Sequence, residues 1–422
     1  MSSAGRVKVD VAVNGFAGRL LESLVRQAPG RNVVCSPISA WLPLAALANV
    51  TGPSLRAALF EAIGCRGDAT TVVGVNAAAA DLLAGFSDGG YVPVQVSLDN
   101  GLEMTELQPG GQRSLQLANS LWVHRSSEVN DGFVRVFADA YDGTTQTLDF
   151  TDPAAAATVN RWVADHTDGL IADLLDHIDP LWAVIVASAV FFRGLWSCQF
   201  NRDHTAPRVF HAPDGDMTTP FMRFGPGIPG WWDSPFRPQQ VDSTEWMDYY
   251  GDERMQMVVL PFTTMTENLV VLLPTEGTPE SLLTDPGRLR AAWRQTMPTR
   301  GELSLPRFRL EADLNLSDTL EALGVPLFDE ASSPLADLVL DTQPVWLSRV
   351  QQRVVLDVDE KGTTAAAATY GAMAAGGLLE RNEEPFTMVC DRPFAVALVG
   401  SARGDDPVVL FCGVVNQPEQ WG

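Results

Sequence analysis

The chain has 422 residues and a net charge of −23 at pH 7, with 46% hydrophobic and 19% charged residues. This balance is ordinary for a folded globular protein, and so acidic a chain repels nucleic acids, polyanions and anionic lipid. We therefore expect a protein that binds no nucleic acid and no membrane.

The first half of the chain is predicted to be mostly helical. Apolar residues recur at helical spacing near the N-terminus, from Phe16 to Val25, where no apolar secretory core is visible. Further helical patterns cover residues 36–50, 53–64, 130–143 and 152–175. Ser54 is expected to cap the second of these and Pro153 to lie in the first turn of the last. Residues 114–124 alternate like a β-strand.

The second half is rich in predicted strands. Residues 181–192 form an apolar run that is too short to cross a bilayer and predicts a strand buried on both faces. Short β-like segments follow at residues 255–262, 267–274, 301–311, 353–360, 392–400 and 407–416. Residues 225–246, rich in Pro, Gly and Trp, indicate a surface loop. Helices first and strands later are typical of an α+β fold.

The residues able to do chemistry form no catalytic or metal-binding pattern. The five histidines, including His166 and His177, form no HExxH motif and no zinc spacing with the five cysteines. The chain has neither a GxSxG motif nor a phosphate-binding glycine loop. We therefore predict no catalytic residue, no metal, no cofactor and no enzymatic activity, with a hydrolase of unrecognised nucleophile as a rival. The scattered cysteines indicate small buried side chains rather than disulfides.

The segment 359–385, which begins DEKGTTAAAAT, favours no single secondary structure. From Gly362 to Leu379 it holds no charge and no proline. Alanine favours helix, threonine favours strand and glycine favours neither. A helix would end early at the glycines, and a linker would have no second domain to join because little chain follows. A segment that holds more than one conformation is the third interpretation.

This segment closely resembles the hinge of the reactive-centre loop in the serpin family of serine-protease inhibitors. Other segments resemble serpin motifs, in the family's order and along nearly the whole chain. They include NVVCSPISAWLPLAAL at 32–47, LQLANSLWV at 115–123, VNRWVADHTDGLIADLL at 159–175, FFRGLWSCQF at 191–200 and DRPFAVALV at 391–399.

The resemblance implies an α+β serpin fold with three β-sheets, eight to nine helices and an exposed reactive-centre loop. It implies one serpin domain over residues 1–422, with the loop at 360–390. In the family, a serine protease cleaves this loop and forms an acyl-enzyme with it. The cleaved loop then inserts into the central sheet and traps the protease. The implied function is suicide-substrate inhibition of serine-type endopeptidases. A non-inhibitory serpin, acting as carrier, storage or chaperone-like protein, is the alternative.

The hinge meets the physical requirements of such an insertion. Its residues are Glu360, Lys361, Gly362, Thr363, Thr364, Ala365, Ala366, Ala367, Ala368 and Thr369. An inserted strand places alternate side chains in a packed core, which excludes large or charged groups. After Lys361 both strand faces are uncharged, and the face that begins at Thr363 is small throughout. Gly362 leaves the backbone free to turn where insertion begins.

The resemblance also locates the bond that a protease would cleave. The family's usual distance from Glu360 leads to the bond Gly376–Gly377. The neighbouring candidates are Met373, Ala375 and Leu378. Small and apolar residues there favour an elastase-like or subtilisin-like serine protease, with a cysteine protease as an alternative target.

A second set of residues resembles the cluster that controls opening of the serpin central sheet. In the family, an asparagine on the buried strand and a histidine on the strand before the loop hydrogen-bond to serines of an SPxS motif. The corresponding positions here are Ser36, Pro37, Ser39, Ser188, Gln352 and, where insertion starts, Trp196. Glutamine can both donate and accept, so a polar network is expected, with Ser188 too short to reach as far.

The remaining expectations concern activation, assembly and location. Residues 67–112 contain no lysine or arginine, which argues against activation by a heparin-like polyanion at the matching interval. We expect a monomer. The missing secretory signal favours the cytoplasm, and an extracellular location is the alternative because many family members act outside cells.

Overall fold

The computed structural model describes residues 8–66, 70–87, 91–97, 103–109, 115–192, 194–232, 239–241, 244–263, 266–363, 382–400 and 406–418. Within these ranges lie nine α-helices: α1 (Val9–Gln27), α2 (Pro37–Leu47), α3 (Pro53–Ala62), α4 (Val72–Ser87), α5 (Asp131–Tyr141), α6 (Ala155–His166), α7 (Ser281–Thr284), α8 (Pro286–Arg294) and α9 (Ser317–Ala322). No helix of this part of the chain is long and apolar enough to cross a membrane.

The same ranges contain the strands of the fold. They are β1 (Val33–Cys35), β2 (Tyr91–Ser97), β3 (Glu103–Pro109), β4 (Leu115–His124), β5 (Gly143–Leu148), β6 (Val184–Phe192), β7 (Gly194–Leu195), β8 (Cys198–Gln199), β9 (Ala206–Ala212), β10 (Gly215–Phe224), β11 (Gly230–Trp232), β12 (Gln239–Val241), β13 (Trp246–Gly251), β14 (Met255–Pro261), β15 (Glu267–Pro274), β16 (Met297–Pro306), β17 (Phe308–Asn315), β18 (Leu347–Val358), β19 (Gly362–Thr363), β20 (Asn382–Val389), β21 (Phe394–Gly400) and β22 (Val408–Val415).

A five-stranded sheet in the order β17-β18-β6-β4-β5 forms the centre of the molecule. Strand β6 is buried along its whole length, as its apolar run predicts. Its alternate side chains enter two apolar clusters, because successive residues of a strand point to opposite faces. Val186 and Val190 join the main core, whereas Ala187 and Ala189 pack beneath helix α6. The small alanines leave room for α6 to pack on this face of the sheet.

The main core lies between this sheet and a ten-stranded sheet. That second sheet runs β1-β22-β21-β15-β14-β13-β16-β10-β9, with β20 added to β16. A three-stranded sheet joins β8, β11 and β12, and two-stranded pairs link β19 with β7 and β2 with β3. In the described ranges, nine helices and three sheets of more than two strands agree with the predicted α+β architecture.

Several local predictions differ from the structure. The helix predicted over residues 152–175 is only α6, because Asp168 and Gly169 both have positive φ angles and turn the chain out of the helix. Pro153 precedes this helix and does not lie in it. Gly52, not Ser54, occupies the cap position of α3. The surface loop predicted at 225–246 contains the short strands β11 and β12.

Candidate functional site

The base of the hinge is already paired beside the central sheet. Strand β19 lies antiparallel to β7, with Gly362 opposite Leu195 and Thr363 opposite Gly194. Strand β7 follows β6 after a single residue, and β6 pairs with β18 in parallel over the span from Val184 to Phe191. A strand that lies antiparallel to both must therefore run as β19 does. Gly362 and Thr363, the two residues of β19, already run in this direction.

Only small side chains fit at the start of this strand. Gly362 has φ +147, and a Cβ atom there would collide with the backbone oxygen of Gly194. The Thr363 hydroxyl accepts a hydrogen bond from the Gly194 N–H at 3.0 Å, and its side chain is 1% exposed. Gly362 is therefore needed for a close approach as well as for conformational freedom.

Trp196 holds the residues that precede the hinge. Its indole is buried and stacks on Phe262, with ring centroids 4.5 Å apart. The indole N–H donates to the backbone oxygen of Asp359 at 2.8 Å, and the Trp196 backbone N–H donates to that of Lys361 at 2.9 Å. The predicted tryptophan thus lies where the hinge leaves the sheet.

Glu360 anchors the hinge through a buried carboxylate. Its side chain is 1% exposed and accepts hydrogen bonds from the Arg307 Nε at 2.8 Å and the Thr205 hydroxyl at 2.7 Å. The Arg202 guanidinium lies 4.0 Å from its other oxygen. Burial alone would raise the pKa of this carboxyl, but the bonds from Arg307 and Thr205 outweigh burial and hold the pKa below its usual value. The carboxylate is therefore ionised at neutral pH.

Asp357, near the end of β18, is in the opposite electrostatic situation. Burial raises its pKa to about 6, and the Arg309 guanidinium, 3.4 Å away, offsets this only in part. The like charges of Glu311 and Asp359 contribute to this raised pKa. The strand beside the hinge therefore carries a carboxylate whose ionisation is unfavourable in the folded chain.

Five of the six predicted sheet-opening residues come together beneath the middle of β6 and β18, whereas Trp196 lies apart from them at the hinge. Gln352 is fully buried, and its amide nitrogen donates to the Ser36 backbone oxygen at 2.9 Å and to the Ser39 hydroxyl at 2.7 Å. The Ser36 N–H returns a bond of 3.0 Å to the Gln352 amide oxygen. Pro37, at the start of α2, has no N–H to satisfy, which suits a first helical turn. Gln352 thus joins β18 firmly to the start of α2.

Ser188 makes the weaker contact with α2 and bonds to a residue that the sequence did not reveal. Its hydroxyl lies 3.4 Å from the Ser39 backbone oxygen and donates to the Asn119 Oδ1 at 2.7 Å. Asn119 is buried on β4, directly opposite Ser188. A polar residue within the predicted strand at 114–124 was the only available signal for it.

The other predicted hinge and cleavage-site residues lie outside the described residues. These are Thr364, Ala365, Ala366, Ala367, Ala368, Thr369, Met373, Ala375, Gly376, Gly377 and Leu378. The C-terminal end of the predicted loop range forms strand β20, which runs parallel to β16. The loop expected at 360–390 is therefore shorter at this end.

The reactive side chains of the described part of the chain form no metal centre. No group of three or more His, Cys, Asp or Glu residues there could hold a metal ion. Four of the five cysteines are buried, and burial raises the pKa of Cys65 and of the partly exposed Cys198 to about 12. Such thiols are poor nucleophiles at neutral pH.

Comparisons with known proteins agree with this geometry. A family model described as Serpin (serine protease inhibitor) matches residues 11–418. Antichymotrypsin-2 of Bombyx mori is 26% identical over 415 residues, which cover 96% of each protein.

Solved structures show the same fold. Serpin48 of Tenebrio molitor has a TM-score of 0.74 at 20% identity and covers 97% of this chain and 98% of its own. Human thyroxine-binding globulin has a TM-score of 0.78 at 19% identity and covers 98% and 99%. At such identities the two structures support the fold alone, and they confirm the predicted architecture.

Proposed function

Because the chain belongs to the serpin family, described as serine protease inhibitors, we propose that it inhibits serine-type endopeptidases as a suicide substrate. The target cleaves the segment after the hinge and forms an acyl-enzyme. The freed segment then adds as a strand between β6 and β18 and carries the protease with it. The catalytic residues belong to the target, and this chain contributes the cleaved bond and the conformational change.

The antiparallel pairing of β19 with β7 is the observation that carries this proposal. Thr363 is already buried beside β7, just beyond the C-terminal end of β6. The residues after it therefore need only extend an existing strand. Insertion replaces one parallel pairing, between β6 and β18, by two antiparallel pairings, which are slightly more stable per residue. Fifteen inserted residues would span roughly 50 Å, enough to move a protease along the whole sheet.

The polar cluster at α2 is proposed to control when β6 and β18 separate. Ser39 contacts both strands, through Gln352 on β18 and Ser188 on β6. The contact to Ser188, at 3.4 Å, is the longer and weaker one. Opening therefore breaks the Ser188 contact first and leaves β18 attached to α2.

The proposed targets are elastase-like or subtilisin-like proteases, with a cysteine protease as an alternative. Small and apolar residues around Gly376 and Gly377 support this preference. We propose that the chain acts as a monomer without a polyanion activator, since its net charge of −23 repels one.

The proposal is tested by incubating the chain with elastase-, subtilisin-, chymotrypsin- and trypsin-like proteases. We expect at least one active protease to form a complex that resists boiling in detergent, and the same protease with a blocked catalytic serine to form none. Mass spectrometry of the C-terminal piece, separated in denaturant with reductant, identifies the cleaved bond.

Two outcomes would contradict inhibition. Cleavage after the hinge by every protease without a stable complex would indicate a non-inhibitory family member, such as a carrier. Turnover of small esters that active-site titrants abolish would indicate a hydrolase.

A further inference from the structure

Two cysteine thiols face each other on neighbouring strands of the ten-stranded sheet. Cys35 ends β1, and Cys412 lies directly opposite it on the antiparallel strand β22. Their sulfur atoms are 3.6 Å apart, and both side chains are almost completely buried. Neither thiol has a part in the proposed inhibitory mechanism.

We propose that Cys35 and Cys412 form a disulfide bond when the chain folds in the presence of a small-molecule disulfide such as oxidised glutathione. Directly opposed residues of antiparallel strands have Cα atoms about 4.5–5.5 Å apart, which lies within the range of natural disulfides. The sulfur atoms must approach by only about 1.5 Å to reach bonding distance. Side-chain rotation can supply this movement without a shift in register.

The reaction balances as two thiol–disulfide exchanges. The thiolate of one cysteine attacks oxidised glutathione and releases one glutathione thiolate, and the second cysteine then displaces the other. The two protein thiols are oxidised to one disulfide, and one glutathione disulfide is reduced to two glutathione thiols. The two protons lost by the cysteines are taken up by these glutathione thiols. No metal or further reactant is required.

Burial determines when this bond forms. In the folded chain the contact with Cys412 and the loss of water both raise the pKa of the Cys35 thiol, so the reactive thiolate is scarce. Glutathione cannot reach two side chains that are 0% and 1% exposed. The bond therefore forms during folding, before the core closes around β1 and β22, and is protected afterwards.

The bond would connect the two sides of the cleaved segment. Cys35 precedes the hinge, and Cys412 follows strand β20. Any cut between Thr363 and Asn382 divides the chain into two pieces, and the disulfide would keep them covalently attached. It would also reinforce the strand contact at Ser36, whose hydroxyl donates to the Leu410 oxygen on β22 at 2.8 Å.

The test is oxidative refolding of the reduced full chain with a mixture of reduced and oxidised glutathione. Free thiols are then alkylated, and the digested chain is mapped by mass spectrometry. We expect a linked peptide containing Cys35 and Cys412, with Cys65, Cys198 and Cys390 alkylated. Alkylation of all five cysteines, or a different linkage, would overturn the proposal. The peptide map of the wild-type chain alone shows whether the disulfide forms. The test therefore does not depend on whether a variant folds well.

Variants and a gel give independent readouts. Cys412→Ala should abolish the linkage, whereas the matched control Cys65→Ala, also at a buried thiol, should keep it. After cleavage between Thr363 and Asn382, the C-terminal piece should stay attached in detergent without reductant and separate when dithiothreitol is added. The oxidised intact chain should unfold about 5 °C above the reduced one. Separation of the pieces without reductant would contradict the bond, whatever the outcome of the inhibition assays.

Discussion

Thr363→Arg tests the inserted strand at the position where it begins. The native side chain is 1% exposed and bonds to Gly194, next to the end of β6. Arginine cannot occupy this space, so its charged group will turn outward in the intact chain. Insertion would then require the charge to leave water and enter the packed region beside β7.

The expected magnitude follows from this burial. An uncompensated charge in a protein interior costs about 3–5 kcal/mol. If about 3 kcal/mol of this cost is present in the transition state, insertion becomes about 150-fold slower. Hydrolysis of the acyl-enzyme is unaffected and then becomes faster than insertion, so the protease is released.

The assay is the number of inhibitor molecules consumed for each protease molecule inactivated. We expect this number to rise by at least tenfold for Thr363→Arg, with intact variant converted into cleaved chain on a gel. Thr363→Ser should behave like the wild type, because it keeps the hydroxyl and is smaller. Leu181→Arg, which adds the same charge at a side chain that is 79% exposed, is the control for net charge.

One result would refute the reasoning. If Thr363→Arg still forms the detergent-resistant complex with an unchanged stoichiometry, insertion does not depend on the buried position of Thr363 beside β7. The proposed insertion beside β6 would then be wrong, even if the chain inhibits proteases by another route.

Three further predictions concern the contacts around the hinge. Gln352→Leu should lower the free energy of unfolding by about 2–4 kcal/mol in denaturant titrations, whereas Gln352→His, which keeps a donor, should lose less. Arg307→Met leaves Glu360 buried without its main partner and should cost about 3 kcal/mol at pH 7. Because the pKa of Glu360 is lowered by folding, this loss should shrink as the pH falls below its unfolded value near 4.5. Asp357→Asn should stabilise the chain by about 1 kcal/mol more at pH 8 than at pH 5, since the raised pKa of about 6 makes ionisation above it costly; equal effects at both pH values would contradict it.

The parts of the fold that depend on local patterns could be predicted from the sequence. The apolar run at 181–192 predicts a strand buried on both faces, and β6 is such a strand. The small residues after Lys361 predict that the hinge fits a crowded place, and Gly362 and Thr363 occupy one. The Asp168–Gly169 pair was an available signal for the end of α6, because these residue types accept a positive φ angle most readily.

The contacts that bring distant segments together could not be predicted in this way. Glu360 meets Arg307 and Thr205 across 53 and 155 residues of sequence, and no local pattern relates them. Asn119 opposes Ser188 only because β4 and β6 pair in one register, which is set by the whole packed core. The position of a residue type along the chain does not reveal such partners.

Hydrogen exchange in β6 and β18 before and after cleavage tests the proposed insertion most directly. In the intact chain these strands pair with each other in parallel from Val184 to Phe191. After cleavage by a target protease, we expect slower exchange in both strands and new protection in the residues that follow Thr363, as each strand gains an antiparallel neighbour. Unchanged or faster exchange in β6 and β18, with no new protection after Thr363, would contradict the insertion.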